Sequence, residues 1–342
     1  MDEIIAWLKT LIDFNTTAIG TDSERCVSFI FETLTARGMS VRTYTTAGNR
    51  RKAHHLLAEV PGDSPDAVML HAHMDTADFE ETTEWLFPAD RASVRQSCIC
   101  GRGAIDCKGQ LAVWMKLLAD AADGRRRPYT LKLLVSDLEE EGGQEGLGML
   151  LDQHAEILPS IKLVIGEGGG YPFPFQNRLY YSFQTEERDH SEESSSAYPD
   201  WKSVSAILSM GIEKGYYSDD ILTYARQAAS LSGRRMDVRP LYEGMDRYFK
   251  AAPDSVVYRR YGRCFEAALR KQISNARLIP CISPGYSDNR WFREKGIPVI
   301  GFFPLDSKNS LSGIHGTNEY ISEASLRLAY SVMTRVLEKL AL

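Results

Sequence analysis

Between His71 and Gly146 the chain sets metal-type ligands at the ends of apolar runs. The first is Val68-Met69-Leu70-His71-Ala72-His73-Met74-Asp75, an apolar strand pattern running into a His-x-Asp pair. His73 is expected to bind a metal through one ring nitrogen. Asp75, two residues on and on the same strand face, is expected to accept the other ring N–H and fix the tautomer. The second is Gly101-Arg102-Gly103-Ala104-Ile105-Asp106-Cys107-Lys108-Gly109, a glycine-punctuated turn that delivers one aspartate before a helix. Asp106 is the natural bridge between two ions about 3.5–4 Å apart. The third is a strand ending in Asp137-Leu138-Glu139-Glu140-Glu141-Gly142-Gly143. Adjacent acids on a strand end diverge, so one can hold an ion while its neighbour takes a proton from water and passes it to a leaving amine. Taken singly, His73 is compatible with a core histidine and Asp106 with a helix N-cap. Together, imidazole and carboxylates suit zinc or a similar divalent ion with open coordination positions, and a two-metal hydrolase is the chemistry they suggest.

Three further segments follow in the same order: Gly166-Glu167-Gly168, Gly285-Tyr286-Ser287-Asp288-Asn289-Arg290, and Gly313-Ile314-His315-Gly316-Thr317-Asn318-Glu319. With them, residues 1–187 and 253–342 resemble the di-zinc metallohydrolases that include aminoacylase, carnosinase, carboxypeptidase G and succinyl-diaminopimelate desuccinylase. The resemblance implies two divalent ions, zinc first, with cobalt or manganese as alternatives. It makes Glu167 the terminal ligand beside His73, and His315, with Glu319 expected one helical turn on, the partner of Glu140 on the other ion. Matching the aminoacylase-like Glu-Glu-x-Gly-Gly-x-x-Gly pattern makes Glu139 the general base and Glu140 a ligand, whereas a desuccinylase-like register shifts these roles to Glu140 and Glu141. The first register is preferred, because Gly142, Gly143 and Gly146 all fit it. Arg290 is a candidate clamp for a substrate carboxylate through its bidentate fork, with a supporting salt bridge as the alternative. His190 resembles a lid histidine that stabilises the oxyanion, and its match is also open to coincidence.

The implied activity is hydrolysis of an amide or peptide bond in a small carboxylate-bearing substrate, an N-acyl amino acid or dipeptide, by metal-activated water. Its rivals are a specialised biosynthetic amidohydrolase or condensing enzyme on the same site, and a metal-binding interaction protein that has lost lid-dependent activity.

The elements that must position these residues alternate as in an α/β fold with a mostly parallel central sheet flanked by helices. Helical spacing covers residues 3–13, 22–38, 108–122, 145–153, 258–277 and 322–340, and strand patterns cover 40–46, 55–60, 67–72, 130–136, 161–166, 179–185 and 299–303. The run at 67–72 is continuously apolar, as in a strand buried on both faces. Residues 188–252 break the resemblance: where the family carries a four-stranded lid, the pattern predicts a small, mainly helical cap that buries Trp201, Val204 and Leu208. That organisation predicts a monomer, or a homodimer made by helix packing.

Apolar content of 43% is ordinary for a folded chain, and a net charge of -6 offers no basic footprint for nucleic acid or an anionic membrane. No apolar run is long enough to span a bilayer. The acidic, amphipathic N-terminus does not read as an export leader, so a cytoplasmic location is expected. The cysteines at 26, 98, 100, 107, 264 and 281 are then expected to be mostly free thiols, with Cys98-x-Cys100 and Cys107 structural or incidental rather than metal-binding.

Overall fold

The computed structural model describes residues 1–48, 51–79, 84–124, 126–175, 178–187, 255–283, 287–311 and 313–342. The expected cap, with His190, Trp201, Val204 and Leu208, lies outside the described residues, as do Gly285 and Tyr286. The chain opens with α1 (Asp2–Ile12) and α2 (Ser23–Thr35), whose apolar stripes bury Ile4, Leu8 and Leu11, and Cys26, Ile30 and Leu34. Strands β1 (Ser40–Ala47), β2 (Lys52–Val60) and β3 (Ala67–His73) follow, then the short β4 (Ser93–Arg95) and β5 (Cys98–Cys100). Next come α3 (Lys108–Asp123), β6 (Thr130–Ser136), α4 (Met149–Gln153), β7 (Ile161–Gly166), β8 (Pro172–Phe175) and β9 (Arg178–Glu187). C-terminal to residue 254 stand α5 (Val256–Arg270), β10 (Ala276–Ser283), α6 (Asn289–Glu294), β11 (Val299–Gly301), β12 (Tyr320–Ser322) and α7 (Glu323–Lys339).

The large sheet runs β1-β2-β6-β3-β7-β11-β9-β10, with β8 paired to β9. Its centre, β6-β3-β7-β11, is parallel, and so is the β9/β10 edge; the remaining pairings are antiparallel. The sheet is therefore mixed with a parallel heart. That heart points the carboxyl ends of β3, β6 and β7 at one edge, where open α/β sheets collect their sites.

All seven residues of β3 are buried. Strand alternation then divides the core between two faces. Val68, Leu70 and Ala72 join one apolar cluster with α1, α3 and α7, whereas Met69 joins the opposite cluster with Leu134, Leu150, Val164 and Phe292. Helix α3 lies against the first face, where fully buried Trp114 donates its indole N–H to the His71 carbonyl at 3.0 Å. The same ring meets Phe303 edge-on, with centroids 5.8 Å apart. This contact fixes β3 just upstream of its ligand end.

Three expectations are corrected. The helical pattern over 258–277 ends at Arg270, and Ala276–Ser283 is instead an edge strand parallel to β9. Ile273 and Ala276 keep helical spacing from Leu269, but Ser274-Asn275 reverses the chain, and Pro280 is tolerated because the strand is at an edge. Glu319 is not one helical turn from His315: residues 313–319 form a loop in which His315 and Asn318 have φ of 53° and 60°. The helix expected at 145–153 opens as a wider turn over Gln144–Gly148 and becomes α-helical only from Met149. Strand β8 and the small β12-β5-β4 sheet carry patterns too short to read from the sequence. All six cysteines are free, and no helix among the described residues is long and apolar enough to cross a membrane.

Truncating Trp114 removes a large, fully buried side chain. Trp114→Ala should destabilise the protein by about 3–5 kcal/mol in urea denaturation, within the range for large aromatic truncations.

Candidate metal centre

The carboxyl end of β3 presents His73, fully buried, with its Nδ1 held 3.0 Å from the Asp75 carbonyl oxygen. The Asp75 carboxylate is slightly farther, at 3.5 Å. The expected tautomer lock is thus made chiefly by the Asp75 backbone, with its side chain in support. Asp75 Oδ2 has another task, accepting the Glu140 amide at 3.0 Å, which ties the acid loop to the β3 end. Both contacts leave His73 Nε2 facing outward, 3.2 Å from Asp106 Oδ1 and 3.1 Å from Glu167 Oε2.

Asp106 turns its other oxygen the opposite way. Its Oδ2 is 3.2 Å from His315 Nε2, and the same nitrogen is 3.0 Å from Glu140 Oε2. Two three-sided clusters therefore share Asp106, one with His73 and Glu167, the other with His315 and Glu140. Side-chain exposure is 11% for Glu167 and 9% for Glu140, but 52% for His315, so the second cluster is open to solvent on its histidine side.

The acid loop after β6 is folded by its neighbours. Leu138 has φ of 65°, and the Gly142 and Gly143 amides bond back to the carbonyls of Glu139 and Leu138 at 2.7 Å. Gly143 needs its φ of 66°, and a Cβ there would stand 2.2 Å from Asp288 Oδ1. Buried Asp137 anchors the loop: Arg51 donates to both its oxygens at 2.6 and 2.7 Å, and the His54 and Leu138 amides add two bonds at 3.0 Å. The result directs Glu140 at His315 and leaves Glu141 exposed. Glu139 is largely withdrawn from water, and burial, then repulsion from Glu167, holds its carboxyl well above the usual range.

Beneath the centre lies a buried polar chain. Ser136 Oγ donates to Asp288 Oδ2 at 2.6 Å and sits 2.9 Å from His71 Nε2. Burial, then the neighbouring His73, pushes His71 down to about 3, so it is neutral and packs edge-on against Phe292. Asp288 is pushed up to about 8 by burial and by Glu167, beyond the lowering by Ser136. Arg290 donates to the Gly142 carbonyl and lies over the Trp291 ring at 4.4 Å, a placement that braces the acid loop. Cys107 donates its thiol to the His73 carbonyl at 3.3 Å. Its Sγ also lies near ligand atoms of His73 and Glu167, but burial raises its thiol away from the thiolate form that metals bind.

Whether these residues fit divalent ions can be judged from the carboxylates. Glu140 Oε1 and Glu167 Oε1 are buried and have no hydrogen-bond partner among the described residues. An orphaned buried carboxylate oxygen is costly unless a cation meets it. Glu140 is pushed up to about 7 by burial and then by Asp106, against the opposing pull of His315. Hydrogen bonds to Asp106 and then Glu140 raise His315 to about 10. Each cluster thus draws in positive charge, which a divalent ion supplies in place of protons. The residues fit.

The match to the model of peptidase family M20/M25/M40 runs over residues 69–339, about four-fifths of the chain and all five of these ligand candidates. The chain belongs to this family. Family membership implies metal dependence. A cysteinylglycine-S-conjugate dipeptidase of Corynebacterium striatum is 31% identical over 32% of this chain and 24% of its own length. A probable succinyl-diaminopimelate desuccinylase of Staphylococcus aureus is 29% identical over 31% of this chain and 26% of its own length. These alignments thus span about a quarter of the curated relatives they match. In fold the chain is similar to a family M20 metallo-carboxypeptidase of Sulfolobus solfataricus, with a TM-score of 0.71, 15% identity and 99% of both chains covered.

Arg51 and Asp137 were not singled out from the family motifs, and only Asp137's place before the acid run hints at a role. Removing Arg51 leaves a buried carboxylate without its charge partner. Arg51→Met should cost about 3–5 kcal/mol in chemical denaturation, in line with breaking one side of a buried ion pair. A cost below 1 kcal/mol would mean that the pair does not anchor the loop.

Proposed function

We propose that this protein is a di-metal hydrolase that cleaves an amide or peptide bond in a small carboxylate-bearing substrate, a dipeptide or an N-acyl amino acid. The observation that carries this reading is Asp106, whose two oxygens each stand 3.2 Å from a different histidine, with Glu167 closing one cluster and Glu140 the other. His73, Asp106 and Glu167 would hold one divalent ion, and His315, Asp106 and Glu140 the other, with zinc the first choice for this ligand mix. When bound, such a pair supplies Lewis acidity toward a carbonyl and makes water a nucleophile near neutral pH.

The chain's own residues do the rest. Glu139, next in sequence to the ligand candidate Glu140, is the proton carrier. Its raised carboxyl can take a proton from the attacking water and return it to the departing amine. Asp75 orients His73 and at the same time fixes the Glu140 amide, so one residue aligns a ligand from each cluster. The contact of Glu140 with His315 and the exposure of Glu141 support the register in which Glu139 is base and Glu140 ligand. Arg290 is engaged by Gly142, which supports a bracing role for it over a carboxylate clamp.

The peptide-cleaving names among the relatives support a dipeptide as the first substrate to try. Residues 1–187 and 253–342 form one catalytic unit in this reading, with 188–252 inserted as a cap. Its support is that Phe183 of β9 packs on Tyr258 and Phe265 of α5, with centroids 5.8 and 5.1 Å apart, so the chain leaves and re-enters the same core.

Elemental analysis should find two divalent ions per chain, and Asp106→Asn should deplete both. Glu139→Gln should retain both ions and lose about 10²–10⁴ in turnover on a panel of dipeptides and N-acyl amino acids. If Glu140→Gln instead keeps both ions and loses turnover while Glu141→Gln loses an ion, the roles belong one residue further along.

A further inference from the structure

The two halves of the centre come from loops far apart in the chain, and something must keep them in register. Glu319 is fully buried under the Asp106 loop. Its Oε1 accepts the amides of Ile105 and Asp106 at 2.8 and 3.1 Å, and its Oε2 accepts the Gly103 amide at 2.9 Å. One carboxylate therefore gathers three amides of the turn that carries the bridging residue. Oε2 also accepts from Arg102 Nη1 at 2.9 Å.

Arg102, only 4% exposed, reaches from this point to the other loop. Its Nη1 lies 3.4 Å from the Gly313 carbonyl and its Nη2 donates to the Gly316 carbonyl at 2.8 Å. Those carbonyls flank His315, whose φ of 53° is sterically unfavourable for a residue with a Cβ and needs outside support. The His73 and Glu167 ligands need no such support, because β3 and β7 carry them as sheet neighbours.

We propose that Arg102 and Glu319 form a buried clamp that sets His315 against Asp106, so that the ion on the His315 side depends on Arg102 while the ion on the His73 side does not. The inference rests on the two-ion reading above. Arg102 acts here as a positioning residue. A planar guanidinium can span two carbonyls and a carboxylate at once, which the point charge of lysine cannot reproduce. Glu319 differs from Arg102 because it also holds the amide of Asp106, which serves both ions.

The test is metal stoichiometry and affinity by elemental analysis and zinc titration calorimetry on the full chain, with thermal melting to establish that each variant is folded. Wild type should bind two ions. Arg102→Lys should keep one with affinity within about threefold and lose roughly tenfold or more on the other, the range for residues that orient metal ligands. Adding Glu167→Gln to Arg102→Lys should then remove the retained ion, whereas adding Glu140→Gln should leave it. Glu319→Gln should weaken both ions. Should Arg102→Lys fail to fold, Arg102→Gln serves in its place. Equal weakening of both ions by the Arg102 variant, or two ions of unchanged affinity, overturns the clamp. A wild-type chain that binds fewer than two ions overturns the two-ion reading itself, and the clamp with it.

Discussion

Buried negative charge is the constraint around which this molecule is arranged. Asp75, Asp106, Glu140 and Glu167 converge on two imidazoles at one sheet edge, with Glu139 buried beside them, and several of these oxygens have no hydrogen-bond partner among the described residues. Carboxylates taken out of water at such density either protonate or recruit cations. The upward displacement of Glu139 and Glu140, and of His315 between its two acids, is the same pressure seen from opposite signs.

The scaffold supplies rigidity at different costs to the different candidate ligands. His73 ends β3 and Glu167 directly follows β7, adjacent parallel strands in the core of the sheet, and the local Asp75 carbonyl holds the His73 ring. Asp106, Glu140 and His315 come from loops, and each loop is closed by a buried charged group: Glu319 under Asp106, Asp137 with Arg51 before Glu140, and Arg102 beside His315. The left-handed residues Leu138 and His315 sit in the loops so anchored. Backbone conformations of this kind persist where surrounding structure over-determines them.

Much of this was legible in the sequence because it is local. A continuously apolar run announces a central strand, and ligands placed just after such runs announce a site at the carboxyl edge. What was not legible is what depends on distant partners. Arg51 meets Asp137 across 86 residues, and Arg102 meets Glu319 across 217. Neither pairing leaves a mark in either local pattern. The overlong helix at 258–277 fails for a related reason: Ile273 and Ala276 satisfy helical spacing, and only the free edge of β9 makes a strand the better use of Ala276–Ser283. Asp75 illustrates the intermediate case, since its spacing from His73 predicted the contact but not that the carbonyl would come closer than the carboxylate.

In the proposed reading, Asp106 bridges two ions. Diffraction from crystals of zinc-loaded protein, recorded on both sides of the zinc absorption edge, tests it directly. Two anomalous peaks are expected on either side of the Asp106 carboxylate, about 3.5–4 Å apart, one beside His73 and Glu167 and the other beside His315 and Glu140. A single peak, or a pair that does not share Asp106, would contradict it.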